Sequence, residues 1–92
     1  MKRQSFISGV GYNLPDKIMK NEELSNYMDT SDEWISERSG IKERRVVEKL
    51  KESGVGPAEL SIPAVQNALD RANLNKEDIV LIIFSTAMPD YF

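Results

Sequence analysis

The chain has 92 residues, of which 40% are hydrophobic and 29% are charged, with a formal net charge of −3. This composition is typical of one small globular domain, and the net negative charge disfavours nonspecific binding to nucleic acid. The sequence contains neither cysteine nor histidine. Within these residues, this excludes disulfides, thiolate metal sites, a cysteine nucleophile and a histidine base.

The sequence contains no pattern typical of a membrane segment or an export signal. No apolar run approaches the ~18 residues that a membrane-spanning helix needs. The apolar stretch that follows the basic start is too short and too interrupted by glycine for a signal peptide. We therefore expect a cytoplasmic protein without a membrane or nucleic-acid partner.

The first predicted element is a strand over residues 5–12, closed by the turn Asn13-Leu14-Pro15. Gly9 and Gly11 resemble the start of a dinucleotide-binding loop, but the third glycine is missing and Pro15 stands where the helix would begin. We therefore predict that the two glycines admit a close backbone neighbour.

Two short helices are predicted next. Asn21 is a candidate N-cap, and Leu24, Tyr27 and Met28 have the i, i+3, i+4 spacing of a buried stripe. The second helix is predicted to begin with a capping box between Thr30 and Glu33.

The second helix is predicted to end at Gly40 in the left-handed conformation, and an extended segment follows over residues 41–47. A longer helix is then predicted over residues 58–73. Leu60, Ala64, Ala68 and Ala72 form a row on it, with Val65 and Leu69 beside the row. Pro63 predicts either a kink or a regular helix that starts only near residue 61.

Residues 79–84 (Ile-Val-Leu-Ile-Ile-Phe) are apolar at every position. Such a run predicts a strand that is covered on both faces, as in parallel α/β sheets. One main helix cannot cover both faces. We therefore expect the chain to be the N-terminal part of a larger α/β protein.

Trp34 and Arg38 are the most informative pair in the sequence. Their i, i+4 spacing places both side chains on one face of the second helix. A flat aromatic surface beside a fixed cation suits the base and phosphate of a nucleotide. Two simpler interpretations stay open: a tryptophan that anchors a core or an interface, and an arginine paired with Glu33 or Glu37.

The segments 29–35 (Asp-Thr-Ser-Asp-Glu-Trp-Ile) and 38–44 (Arg-Ser-Gly-Ile-Lys-Glu-Arg) closely resemble the N-terminal signature of the β-ketoacyl-acyl-carrier-protein synthase III family. Residues 9–15, 64–74 and 77–86 are similar to other parts of that family in the same order. The resemblance implies a thiolase-like α/β fold with a mixed sheet covered by helices, incomplete in this chain. It also implies a homodimer and assigns residues 1–92 to the N-terminal portion of the first thiolase-like half.

The resemblance further implies an acyltransferase that joins an acyl-CoA primer to malonyl-acyl-carrier protein to start fatty-acid synthesis. The family's catalytic cysteine, histidine and asparagine match no residue of this chain, so no catalytic residue is predicted here. Coenzyme A enters as a thioester substrate, with no permanently bound cofactor and no metal. By resemblance, Trp34 stacks on its adenine, Arg38 contacts its phosphates, and Thr30 can hydrogen-bond the adenine. Two alternatives stay open: a related condensing enzyme of secondary metabolism, and a non-catalytic remnant that binds CoA or a partner.

Overall fold

The computed structural model describes residues 2–48 and 54–87. The chain forms two compact units. The middle unit spans Leu14–Ser53, and the terminal unit combines Met1–Asn13 with Gly54–Phe92. Within the described residues, no helix has both the length and the apolarity that crossing a bilayer requires.

A two-stranded antiparallel sheet organises the middle unit. Strand β1 (Lys17–Lys20) pairs with strand β2 (Glu43–Val46), so that Lys17 lies opposite Val46. Half-buried and exposed residues alternate along both strands, as the two-residue period of a strand requires. Strand β2 lies within the extended segment predicted over residues 41–47, which is confirmed. Strand β1 was not predicted.

Helix α1 (Asn21–Leu24) directly follows β1 and has a single turn. The prediction that Asn21 caps this helix is wrong, because Asn21 is the first helical residue and Lys20 is the N-cap. The predicted buried stripe is also wrong: Tyr27 is 73% and Met28 56% exposed. The physical reason is that the helix ends at Leu24, so helical spacing no longer places the later residues on its inner face.

Helix α2 (Asp32–Ser39) completes the middle unit and carries Trp34 and Arg38. It ends at Gly40, which has φ 72° and ψ 1°. This is the left-handed conformation that glycine adopts without steric cost, so the predicted helix end is confirmed.

The terminal unit contains one long helix, α3 (Pro57–Ala72), close to the bounds predicted from the sequence. It begins with a proline at its start, where no backbone N–H is needed. The alternative of a helix starting only near residue 61 is wrong, since α3 runs through Pro63. Leu69 is buried, whereas Val65 is 54% exposed and lies outside the core.

The N-terminal segment runs extended along the alanine row of α3. A Cβ atom built on Gly9 would lie 2.5 Å from the Ala68 carbonyl oxygen, and one on Gly11 would lie 2.6 Å from the Ala68 nitrogen. The prediction that these glycines admit a close backbone neighbour is therefore confirmed. The predicted strand over residues 5–12 is wrong, because the segment pairs with no strand within the described residues.

Side chains of the terminal unit also hold this segment on the helix. Arg71 donates to the Val10 carbonyl oxygen at 3.1 Å and Asn67 to that of Tyr12 at 3.4 Å. In the opposite direction, the Asn13 side chain donates to the Leu60 carbonyl oxygen at 2.9 Å. Hydrogen bonds to α3 thus replace those that a neighbouring strand would supply.

The apolar run after α3 is exposed. It follows a short 3-10 helix (Lys76–Asp78). The predicted strand over residues 79–84 is wrong in this structure, since no regular structure forms there and Val80 is 99% and Ile83 86% exposed. A strand needs a hydrogen-bonded neighbour, and the described residues place none beside this run.

Candidate functional site

The start of α2 is fixed by a side-chain cap. The Ser31 hydroxyl accepts a hydrogen bond from the Trp34 backbone N–H at 3.1 Å, and Ser31 has extended backbone angles. The predicted capping box with Thr30 is therefore wrong by one residue. The sequence offers a hydroxyl at both positions, and only the backbone path decides which one faces the helix N–H groups.

The predicted placement of Trp34 and Arg38 on one face of α2 is observed, and the two side chains are also in contact. The guanidinium carbon (Cζ) of Arg38 lies 4.2 Å from the centre of the Trp34 ring, within the range of a cation–π interaction. Trp34 is 53% exposed, so it is not a core anchor of this chain. Across residues 2–48 and 54–87, no carboxylate pairs with Arg38 within 4.0 Å, and the predicted alternative of an ion pair is not observed.

Thr30 differs from the other two predicted site residues. Its hydroxyl oxygen is buried and has no hydrogen-bond partner, and its backbone N–H donates to the Met28 carbonyl oxygen at 3.0 Å. The capping role that could have occupied this hydroxyl belongs to Ser31 instead. The structure therefore brings Trp34 and Arg38 into contact and leaves Thr30, just before the helix, with an unused polar atom.

A buried amide that the sequence did not reveal lies beneath this helix. Asn21 is completely buried. Its side-chain nitrogen (Nδ2) donates to Asp32 Oδ1 at 2.8 Å and to the Ile41 carbonyl oxygen at 2.7 Å. Its side-chain oxygen (Oδ1) accepts from Arg44 Nη2 at 2.6 Å. Both N–H groups and the carbonyl of the amide thus have partners, as burial of a polar group requires.

The network continues along both of its ends. Arg44 also donates to the Met19 carbonyl oxygen at 3.1 Å. Asp32 Oδ1 accepts a second hydrogen bond from the Ser36 hydroxyl at 3.1 Å, and Lys42 Nζ lies 2.8 Å from that hydroxyl. The hydrogen bond from Asn21 contributes most to holding the pKa of Asp32 below its usual value, followed by the bond from Ser36. The positive charge of Lys42 acts in the same direction, and burial opposes it.

The arrangement is suited to binding rather than to covalent chemistry. Trp34 offers an exposed aromatic surface, and Arg38 offers a permanent positive charge held against that surface. Neither residue can act as a nucleophile or a general base. An exposed aromatic ring and a fixed cation can together hold a ligand that combines a planar ring with an anion.

Curated proteins in several bacteria are similar to this chain. A β-ketoacyl-[acyl-carrier-protein] synthase III of Bacteroides thetaiotaomicron is 41% identical over 90 residues, which cover 98% of this chain and 26% of that protein. One from Campylobacter jejuni is 44% identical over 79 residues, covering 86% and 23% respectively. The chain thus spans about a quarter of the length of the curated relatives it matches. No family model matches the sequence.

Solved structures agree with this relationship. The structure of 3-oxoacyl-[acyl-carrier-protein] synthase III from Aquifex aeolicus matches with a TM-score of 0.62 and 40% identity, covering 74% of this chain and 20% of that one. The corresponding Thermus thermophilus structure matches with a TM-score of 0.59 and 40% identity, covering 73% and 20%. The predicted α/β, partial thiolase-like fold class is thereby confirmed. The chain belongs to the β-ketoacyl-[acyl-carrier-protein] synthase III family and corresponds to an N-terminal segment of it.

Proposed function

We propose that this chain supplies part of the coenzyme A binding surface of a condensing enzyme. The observation that carries the proposal is the contact between Trp34 and Arg38, an exposed indole with a guanidinium held 4.2 Å from its centre. The adenine of coenzyme A would stack on the indole, and the guanidinium would donate hydrogen bonds to its phosphates. The names of the relatives supply the link to acyl transfer.

The proposed contacts are strong enough to contribute measurably to the free energy of coenzyme A binding. Stacking a base on an aromatic side chain contributes about 1–3 kcal/mol where it has been measured in nucleic-acid binding. Hydrogen bonds from arginine to phosphate are stronger than neutral ones. Among the described residues, no protein acceptor takes a hydrogen bond from the Arg38 guanidinium, so its N–H groups are available for such bonds. The hydroxyl of Thr30 is buried and has no protein partner, and it would donate to the adenine once its side chain turns toward the ligand.

The reaction proposed for the whole protein is the joining of an acyl-CoA primer to malonyl-acyl-carrier protein, which starts fatty-acid synthesis. Its partners would be acyl-CoA, acyl-carrier protein and a second subunit, in the cytoplasm. Because these 92 residues contain no cysteine and no histidine, the groups that carry the acyl chain and stabilise the enolate would belong to other parts of that protein. This chain would contribute recognition of the substrate's nucleotide end.

The single tryptophan provides a direct test. Titration of the chain with coenzyme A should quench Trp34 fluorescence in a saturable manner, because the adenine stacks on that ring. Isothermal titration calorimetry with Trp34→Ala should show a loss of about 1–3 kcal/mol in binding free energy. Arg38→Ala should weaken binding of coenzyme A more than binding of adenosine, which has no phosphate. Arg3→Ala, which removes an exposed arginine outside the middle unit, is the matched control.

Two results would contradict the proposal. One is a fluorescence signal that does not respond to coenzyme A at any concentration. The other is an equal loss of affinity in Arg38→Ala and Arg3→Ala, which would indicate only a general attraction of the anion to positive charge.

A further inference from the structure

Helix α2 lacks the usual means of holding a helix in place. It has eight residues, and none of them is buried. A helix of this length is marginal in water, and in folded proteins most helix stability comes from packing an apolar face. The orientation of Trp34 and Arg38 must therefore be fixed by contacts other than a hydrophobic core.

Asn21 makes such contacts at both ends of α2. One hydrogen bond from its side-chain nitrogen goes to Asp32, the first residue of the helix, at 2.8 Å. The other goes at 2.7 Å to the carbonyl oxygen of Ile41, the residue that follows the C-cap Gly40. One amide group of a residue outside the helix is thus bonded to its beginning and to the chain just beyond its end.

The same amide is anchored to the sheet. Its oxygen accepts from Arg44 in strand β2, and Arg44 also donates to the Met19 carbonyl oxygen in strand β1. The Asn21 backbone N–H donates to the Lys42 carbonyl oxygen at 3.2 Å. The sheet therefore fixes Asn21, and Asn21 fixes the two ends of α2.

We propose that Asn21 is the positioning residue of the coenzyme A site, holding α2 so that Trp34 and Arg38 present their shared surface to the ligand. This inference rests on the proposed function for the identity of the ligand. Asn21 itself is completely buried, so it acts through the helix without touching the ligand.

The chemistry of the side chain explains why an asparagine occupies this place. Two donors and one acceptor on one planar group match the Asp32 carboxylate, the Ile41 carbonyl oxygen and the Arg44 guanidinium. Aspartate has almost the same shape, but its ionised form only accepts hydrogen bonds. Asn21→Asp would thus retain the contact with Arg44, lose both links to α2 and place two carboxylates in contact.

The test uses the 92-residue chain with Asn21→Asp and, as matched control, Asn26→Asp, which changes an exposed asparagine of the same unit. Circular dichroism reports whether each variant folds, and acrylamide quenching of the single tryptophan reports on the surroundings of Trp34. Calorimetry with coenzyme A measures the affinity. We expect folded Asn21→Asp to show altered quenching and about tenfold weaker binding, since small misplacements of a site are costly. Asn26→Asp should match the unmodified chain in both.

A second substitution separates positioning from loss of structure. In Asn21→Asp/Asp32→Asn, the donor and acceptor between the two side chains are exchanged, so one link to α2 is restored. We expect this double variant to recover part of the quenching behaviour and of the affinity. A role limited to stability would let folded Asn21→Asp keep the unmodified quenching and affinity, and that result overturns the inference.

Two further outcomes remain decisive. If Asn21→Asp does not fold, Asp32→Ala takes its place, with Glu33→Ala as control for loss of a first-turn carboxylate. Equal quenching in these two variants overturns the inference, and a change confined to Asp32→Ala supports it. If the unmodified chain does not bind coenzyme A, the proposed function fails, and the quenching comparison alone decides whether Asn21 positions Trp34.

Discussion

The middle unit and the terminal unit are each stabilised internally by a different kind of contact. In the middle unit, a completely buried asparagine joins helix α2 to strand β2 through side-chain hydrogen bonds, and Arg44 extends this network to strand β1. In the terminal unit, the N-terminal segment lies so close to α3 that only glycine fits at positions 9 and 11. The middle unit therefore depends on a buried polar network. The terminal unit depends on close backbone packing, to which exposed side-chain hydrogen bonds are added.

This difference has a consequence for how each unit responds to change. A buried hydrogen-bond network tolerates a shift of the backbone poorly but tolerates changes of exposed side chains well. Close backbone packing is sensitive instead to any added side-chain atom, because a single added carbon meets backbone atoms that cannot rotate away. Substitutions at Asn21 test the buried hydrogen-bond network, and substitutions at Gly11 test the close backbone packing.

Asn21→Leu should have the largest effect. Leucine has a similar size but no polar atom, so the Ile41 carbonyl oxygen, the Asp32 carboxylate and one Arg44 N–H group lose a partner. We expect the free energy of unfolding, measured with urea, to fall by about 3 kcal/mol, since each unsatisfied buried group costs about 1–3 kcal/mol. Asn26→Leu is the control, and an equal loss there would contradict the role of the buried network.

Gly11→Ala should have the next largest effect, in the terminal unit. The new Cβ would lie 2.6 Å from the Ala68 nitrogen and would also collide with the Ala64 carbonyl oxygen. Because both are backbone atoms of α3, relief requires the segment to move away from the helix. We expect the free energy of unfolding, again measured with urea, to fall by about 2 kcal/mol, within the usual cost of overpacking.

Gly40 gives a comparison that separates crowding from backbone conformation. Gly40 has φ 72°, and a Cβ atom added to it would have no atom within 4 Å, so Gly40→Ala costs only the conformational penalty of about 1 kcal/mol. Asparagine tolerates the left-handed conformation, and Gly40→Asn should cost less than Gly40→Ala. At position 11 the order should be reversed, because a larger side chain increases the collision. The same order at both positions would show that Gly11 is not constrained by crowding.

The sequence predicted those features that depend on residues close together in the chain. Gly40 at the end of α2, the bounds of α3 and the pairing of Trp34 with Arg38 each follow from local spacing and backbone preference. The glycines at positions 9 and 11 were also interpreted correctly, since their lack of a side chain has few other structural uses.

Features that depend on distant residues were not predicted. Asn21 before two glutamates has the local pattern of an N-cap, but its partners lie 11, 20 and 23 residues away. Nothing in the local sequence indicates that the pairing of β1 with β2 places it in the interior. The strand predicted over residues 79–84 failed for a related reason. Its composition predicted a strand covered on both faces, but a strand forms only where a neighbour is present to bond with it.

The prediction of the site residues was likewise limited to what the local sequence indicates. Thr30 and Ser31 are adjacent hydroxyl residues, and the sequence assigned the cap to the wrong one. The correction leaves the Thr30 hydroxyl, to which the sequence had assigned two roles, buried and without a protein partner. No local sequence pattern indicated that Asn21 and Ser36 support the start of α2.

The smallest effect should be the dependence of stability on acidic pH through Asp32. Hydrogen bonds from Asn21 and then Ser36, together with the charge of Lys42, hold the pKa of Asp32 below the ordinary value of 3.8. The folded state therefore binds a proton less readily than the unfolded state. This stabilisation is complete well above pH 3.8 and is lost as the pH falls from near 3.8 through the lower folded-state pKa.

Urea unfolding at a series of pH values should reveal this contribution. Asp32→Asn keeps an oxygen that accepts from Asn21 but removes the titrating group, so its loss of stability below pH 3.8 should be shallower than that of the unmodified chain. Glu33→Gln removes a neighbouring carboxylate that has no bond to Asn21 and serves as the control. Equal acid sensitivity in Asp32→Asn and the unmodified chain would mean that ionisation of Asp32 contributes nothing to the stability of the folded state. The hydrogen bonds of Asn21 with Ile41 and Arg44, together with the pairing of β1 and β2, would then account for the stability of the middle unit at acidic pH.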